Sequence, residues 1–215
     1  MKTEHIVSTQ KTATVIGATG LVGRSLVQQL LVSPKYSQVT CLVRRPLGLN
    51  EFHDPEKKLQ PLVIDFDYLQ DYQGYFSVNH VFCCLGTTIK KAGSKSAFRY
   101  VDFQLVHVCA QLARAQRAQG FVWISSVGAN KHSKNFYLKV KGELEASILD
   151  MPQLEYAAAV RPSLLIGTRQ ELRRGETFGL RLAKMLPFIF IGPLKKYKPI
   201  HAGYVAQQMI QLQPE

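Results

Sequence analysis

Tyr137 and Lys141 stand four residues apart in Asn135-Phe136-Tyr137-Leu138-Lys139-Val140-Lys141. On a helix that spacing points both side chains the same way. A phenol ordinarily keeps its proton at neutral pH, and a neighbouring ammonium favours the phenolate, which suits the pair to proton transfer. Just upstream, Trp123-Ile124-Ser125-Ser126 offers two hydroxyls able to bind a carbonyl or alcohol oxygen. Tyrosine and lysine at this spacing also occur on ordinary helix surfaces, so the elements around them decide the reading.

The first of those elements is a glycine loop. Thr14-Val15-Ile16-Gly17-Ala18-Thr19-Gly20-Leu21-Val22-Gly23 sets three glycines at G-x-x-G-x-x-G spacing between a β-branched run and a helix-like segment. A strand that turns sharply into a helix leaves unpaired N–H groups at the helix start, and these attract a pyrophosphate. Gly17 permits the turn, Gly20 lets the backbone approach the phosphates, and Gly23 lets the helix lie close to the strand. The loop from Gly17 through Ala18, Thr19, Gly20, Leu21 and Val22 to Gly23 is therefore expected to hold a nucleotide cofactor. A glycine-rich turn without a ligand is the plainer alternative.

Short apolar runs alternate with helix-like stretches along the rest of the chain. Strands are predicted at Thr12–Ile16, Gln38–Val43, Leu62–Ile64, His80–Cys84, Phe121–Ser125 and Tyr156–Val160. Their nearly continuous apolar character suits parallel strands covered on both faces. Helices are predicted at Leu21–Val32, Ser96–Gln119, Tyr137–Leu149 and Ala202–Leu212, with Gly120 stopping the second. The alternation implies an α/β, doubly wound parallel sheet, a Rossmann fold in a single domain. Ligands in such sheets collect at the carboxyl ends of the strands. One rim should then gather the glycine loop, Arg44-Arg45, Asp65-Phe66, Leu85-Gly86-Thr87, Ser125-Ser126 and Arg161-Pro162-Ser163.

Arg44 and Arg45 close the second predicted strand, where an acidic residue would accept hydrogen bonds from the ribose of NAD. An arginine there pairs instead with the 2′-phosphate of NADP, so NADP(H) is the expected cofactor. Asp65 can bond the adenine amino group or simply cap a loop. Gly86, between Leu85 and Thr87, lets the backbone pass close under the cofactor. With an oxidised nicotinamide bound, a second positive charge favours the phenolate, and Lys141 can also hold the nicotinamide ribose.

Together the glycine loop, Ser125-Ser126 and Tyr137/Lys141 resemble the atypical short-chain dehydrogenase/reductases. Phe82-Cys83-Cys84-Leu85-Gly86-Thr87-Thr88 with Lys91-Ala92-Gly93 is similar to the Tat-interactive-protein-like oxidoreductase group. So are Ser125-Ser126-Val127-Gly128-Ala129-Asn130 and Asn135 through Glu143, and the resemblance covers about residues 12–168. It implies NADP(H) binding, Tyr137 as proton donor or acceptor, Lys141 as its helper, and Ser125 or Ser126 as ligand of the substrate oxygen, with Ser126 preferred. Arg161-Pro162 resembles the segment that runs beside the nicotinamide. The resemblance implies the cofactor more firmly than the reaction, because several members of this group are known chiefly as regulators.

The expected function is an NADP(H)-dependent oxidoreductase acting on a small-molecule carbonyl or alcohol. The alternative is an NADP(H)-sensing regulatory or partner-binding protein with little turnover. Within 215 residues, 1–11 form a polar tail and 162–215 a small region that covers substrate or contacts a second subunit, as in a homodimer. The polar start suggests a cytoplasmic location. Cys41, Cys83, Cys84 and Cys109 lie in apolar segments without metal-site spacing and are expected to be buried thiols, with no metal. A net charge of +12 can attract anions, but no recognition motif argues for dedicated nucleic-acid binding. His107 is expected to be a core or interface histidine, and His201 a cap or pocket-wall residue. The apolar run from Met185 to Leu194, flanked by basic residues, reads as a pocket flap, an oligomer contact or a weak attachment to an anionic membrane.

Overall fold

A computed structural model of the chain describes residues 10–48, 51–166 and 199–215. Its main sheet has six parallel strands: β1 (Lys11–Ile16), β2 (Tyr36–Val43), β3 (Leu59–Val63), β4 (His80–Cys83), β5 (Gly120–Ile124) and β6 (Ala157–Val160). Their order is β3-β2-β1-β4-β5-β6. The chain winds outward from β1 to β3, returns to pair β4 with β1, and winds the other way, which is the expected doubly wound Rossmann sheet. The helices are α1 (Leu21–Val32), α2 (Ile89–Ala92), α3 (Lys95–Arg99), α4 (Val106–Ala115), α5 (Phe136–Leu149) and α6 (Ala202–Gln211). A 3-10 segment covers Phe66–Phe76, and a π-helical stretch, Tyr100–Leu105, joins α3 to α4. The pair β7 (Leu165–Ile166) and β8 (Ile200–His201) forms a separate small sheet.

Successive strand residues point to opposite faces and feed two cores. On one face Val15, Cys41, Phe82 and Val122 join Leu26 and Leu30 of α1 and Val205 and Met209 of α6. On the other, Ile16, Leu42, Val81 and Trp123 join Cys109 of α4, Leu144 and Ile148 of α5, and Phe76. Burial on both faces is why the strands read as unbroken apolar runs.

Several boundaries differ from expectation for physical reasons. β3 begins at Leu59 and includes Pro61, which an edge strand tolerates. The helix expected over Ser96–Gln119 is interrupted by the π stretch and ends at Ala115, and the chain turns at Arg117 with φ 54°. Gly120 does not stop that helix; it opens β5. A Cβ there would stand 2.1 Å from Gln213 Oε1 and 2.6 Å from the Pro214 ring. His201 occupies the N-cap position of α6, but its side chain makes no capping bond. His107 is half-buried and stacks on Phe103 at 5.9 Å. The four cysteines are free; Cys41, Cys83 and Cys109 are buried and Cys84 is half-buried. Burial pushes the Cys41 thiol up to about 12. The run from Met185 to Leu194 lies outside the described residues.

At the amino ends of the strands, fully buried His80 of β4 accepts or donates at Nδ1 to the Tyr36 hydroxyl of β2, 2.8 Å away. Burial, reinforced by the charges of Lys35 and Lys11, lowers the His80 pKa from 6.5 to about 4. The unfolded chain therefore binds this proton at a pH where the folded chain does not. Stability from this site is complete above pH 6.5 and falls between pH 6.5 and about 4. Each pH unit crossed in that window is expected to lower the folding equilibrium about tenfold. Denaturant titrations across it should show a flatter profile for His80→Gln than for the wild type.

Candidate active site

The carboxyl ends of the strands border a two-part cleft. The first part, about 480 Å³, is lined by Gly17, Ala18, Thr19 and Gly20 after β1, Arg44 after β2, Phe66 after β3, and Leu85, Gly86 and Thr87 after β4. The second, about 170 Å³, shares Gly20, Cys84, Leu85 and Gly86 with the first. It adds Leu21, Val22, Ser125, Ser126, Tyr137, Lys141 and Pro162. Most of the expected rim thus lines these two adjoining parts.

Backbone proximity shapes its floor. Gly17 has φ +84°, and a Cβ there would lie 2.7 Å from the carbonyl carbon of Cys84. Gly23 does not line the cleft; a Cβ on it would lie 2.1 Å from the Gly17 oxygen, so it serves helix–loop packing. α1 starts at Gly20 with no side-chain cap and no acidic residue in its first turn. An uncapped helix start beside glycine backbone fits the pyrophosphate of a dinucleotide.

Arg44 and Lys91 both line the first part, and no aspartate or glutamate is among its lining residues. Arg45 is exposed and outside the lining. Asp65 is also outside it: Oδ1 accepts the Asp67 N–H at 3.0 Å and caps the 3-10 segment. Arg161 turns away to make a two-point pair with Glu145, Nε to Oε1 at 2.9 Å and Nη2 to Oε2 at 2.5 Å, while Pro162 reaches the cleft.

In the second part, Asn135 caps α5 by accepting the Leu138 N–H at 3.1 Å. That start places Tyr137 in the first turn and Lys141 one turn deeper. The Tyr137 ring lies 5.4 Å from that of Phe98. The Ser125 hydroxyl is buried and has no hydrogen-bond partner among the described residues, whereas Ser126 Oγ donates to the Val127 carbonyl at 3.4 Å. Lys141 Nζ lies 2.8 Å from Asp102 Oδ1 and donates to the Ile124 carbonyl at 3.3 Å. The approach to Oδ1 falls outside hydrogen-bonding directions, so this contact is an ion pair. Asp102 Oδ2 accepts the Thr87 N–H at 2.8 Å. Sequence reasoning missed Asp102. Its signal was an acid at an inward position, since Phe98, Asp102, Leu105 and Cys109 are all buried at three- and four-residue steps.

Comparison with known proteins identifies the family. The sequence pattern of the NAD(P)H-binding family matches residues 17–166, from the first loop glycine to β7. The chain belongs to that family. Rattus norvegicus protein HTATIP2 is 36% identical over 178 residues, spanning 82% of this chain and 72% of the rat protein. Protein FMP52-1, mitochondrial, of Scheffersomyces stipitis is 31% identical over 205 residues, spanning 91% and 84%. These matches bear out the resemblance to the Tat-interactive-protein-like group. MoeE5 in complex with UDP-glucose and NAD superposes with a TM-score of 0.69 at 16% identity, covering 94% of this chain and 71% of MoeE5. The PhqB reductase domain from Penicillium fellutanum gives 0.67 at 15%, covering 94% and 64%. Identities this low show the fold alone. The chain is thus an NAD(P)-binding member of an oxidoreductase-like family. The yeast relative's name places that protein in mitochondria and lends no support to the cytoplasmic expectation. Among the described residues no helix is long and apolar enough to cross a membrane.

In this NAD(P)H-binding chain, α5 presses on the loop after β5. A Cβ on Gly142 would lie 2.2 Å from the Asn130 carbonyl carbon. Gly142→Ala must push the helix carrying Tyr137 and Lys141 off that loop. A stability loss of about 1–3 kcal/mol is expected in urea titration, as for an overpacked core.

Proposed function

We propose that the chain is an NADP(H)-dependent oxidoreductase that interconverts a carbonyl and an alcohol on a small molecule. The observation that carries this reading is the continuity of the cleft. Gly20, Leu85 and Gly86 border both the glycine-loop part and the part holding Ser125, Tyr137 and Lys141. A dinucleotide with its pyrophosphate at the start of α1 would run between them. When bound, the nicotinamide supplies or accepts the hydride.

The chain's own residues do the rest. The α1 N–H groups and the glycine surface bind the pyrophosphate, and Arg44 meets the 2′-phosphate with a planar fork of donors. Lys91 adds positive charge at that end, and the absence of a lining carboxylate removes the usual acceptor for an NAD ribose. The Ser125 hydroxyl, buried and without a partner among the described residues, supports giving it, rather than Ser126, the substrate oxygen, since an orphan donor gains most from a partner. In the reductive direction Tyr137 gives its phenolic proton to that oxygen as the carbon takes the hydride. Lys141, which lines the same part of the cleft as Tyr137, stabilises the phenolate left behind with its positive charge.

Arg44→Ala is expected to weaken NADPH binding by about tenfold or more while leaving NADH nearly unchanged, read by fluorescence titration. Equal effects on both cofactors would refute the NADP(H) preference. Tyr137→Phe should lower kcat on a carbonyl panel by about 10²–10⁴ with NADPH affinity retained. Wild-type protein that binds NADPH tightly and turns over nothing on that panel would favour a cofactor-sensing regulator.

A further inference from the structure

The first part of the cleft has two aromatic side chains in its lining, Phe66 just after β3 and Tyr100 at the start of the π-helical stretch. They belong to separate segments, and a bond beside them links those segments. The Tyr100 hydroxyl donates to Asp67 Oδ1, 33 residues back along the chain and next to Phe66. A phenol on a carboxylate makes a charge-assisted bond, stronger than one between neutral groups. The Asp67 carboxylate, together with partial burial, pushes the Tyr100 phenol up to about 12, so at neutral pH Tyr100 keeps the proton it donates. The bond thus fixes the Tyr100 side chain against the backbone that carries Phe66. The π stretch divides its residues between the cleft parts: Tyr100, Val101 and Leu105 line the first, and Asp102 lines the second. With Val43 and Phe66, the first three give the first part an apolar lining drawn from three segments. Asp65 lies outside that lining, and no carboxylate or carboxamide side chain is within it, so none is placed to read the edge of a purine. A flat base in this space has to be held by its faces.

We infer that Tyr100 holds the adenine ring of the cofactor by its face, and that Asp67 is the positioning residue that sets Tyr100 there. This rests on the cofactor reading given above. Arg44 lines the same part, so a 2′-phosphate on Arg44 leaves the adenine of that nucleoside in the first part as well. A second link joins the 3-10 segment to the end of α4, Gln116 Nε2 to Gln73 Oε1 at 3.3 Å, but neither glutamine lines either part of the cleft. It supplies a control for effects that act on the scaffold alone.

The test titrates each variant with NADPH and with adenosine 2′,5′-bisphosphate, which keeps the adenine and lacks the nicotinamide riboside. Tyr100→Ala removes the ring and is expected to weaken both ligands by the same factor, about twentyfold. Tyr100→Phe and Asp67→Ala keep the ring and lose the bond, and each should weaken both ligands about fivefold. Combined, these two changes should cost no more than either alone, because they remove the same bond. Asp67→Asn still offers an oxygen to the phenol and is expected to stay within about twofold of the wild type, as is Gln73→Ala. Asp67 is exposed, so its substitutions leave folding intact and keep the test readable where Tyr100→Ala does not fold. Wild-type affinity in Tyr100→Ala or Asp67→Ala, losses that add in the combined variant, or no rescue by asparagine would overturn the inference while the cofactor reading stands. So would a loss confined to NADPH, or one as large in Gln73→Ala as in Asp67→Ala. A wild-type chain that binds neither ligand would overturn both.

Discussion

Everything at the carboxyl rim depends on one close approach. Between β1 and β4 the strand order reverses, and there the turn after β1 meets the exit of β4 with no room for a side chain at Gly17. The contact is backbone against backbone. It aims the start of α1 at the cleft, brings Leu85 and Gly86 under the same surface, and lets two separate strand ends share one floor. A larger residue at this point would part the glycine loop from the β4 loop and divide the cleft.

From that floor the site extends by tethers of different strength. α5 is tied to the π-helical stretch by the buried Lys141–Asp102 pair, to β5 by Lys141 on Ile124, and to the segment just after β6 by the Glu145–Arg161 pair. Gly142 allows the helix to rest on the loop after β5. Tyr137 sits above these anchors and is steadied by Phe98. Deeper residues carry the position, while the phenol one turn up is left to meet a ligand.

The strands and the glycine loop were legible in the sequence because both are imposed locally. Apolar runs mark strands buried on two faces, and glycine spacing records where backbone must pass close. Ser125, Ser126, Tyr137 and Lys141 were also readable, since their spacing along the chain survives folding. For Asp65 the sequence left two readings, and the structure shows the loop cap, on the Asp67 amide two residues on; the role of Arg161 was not legible, because it depends on Glu145, a partner only the fold supplies. Asp102 was hidden for a related reason. The apolar stripe from Phe98 to Ala115 has the period of a regular helix, and an acid at an inward step of it finds its partners, Lys141 and the Thr87 N–H, only in the fold. Gly120 failed differently, because its need for smallness comes from Gln213 and Pro214, far along the chain.

The Tyr36–His80 contact lies where the strands begin, and the cleft lies where they end. A four-residue strand such as β4 separates the two by about 10 Å, and every residue of that strand is buried. Over such a distance, without shared partners, substitutions tend to act independently. The His80 site and the candidate active site thus lie at opposite ends of the same strands. Resistance to acid can be engineered at one end as a separate property, leaving the cofactor surface at the other untouched.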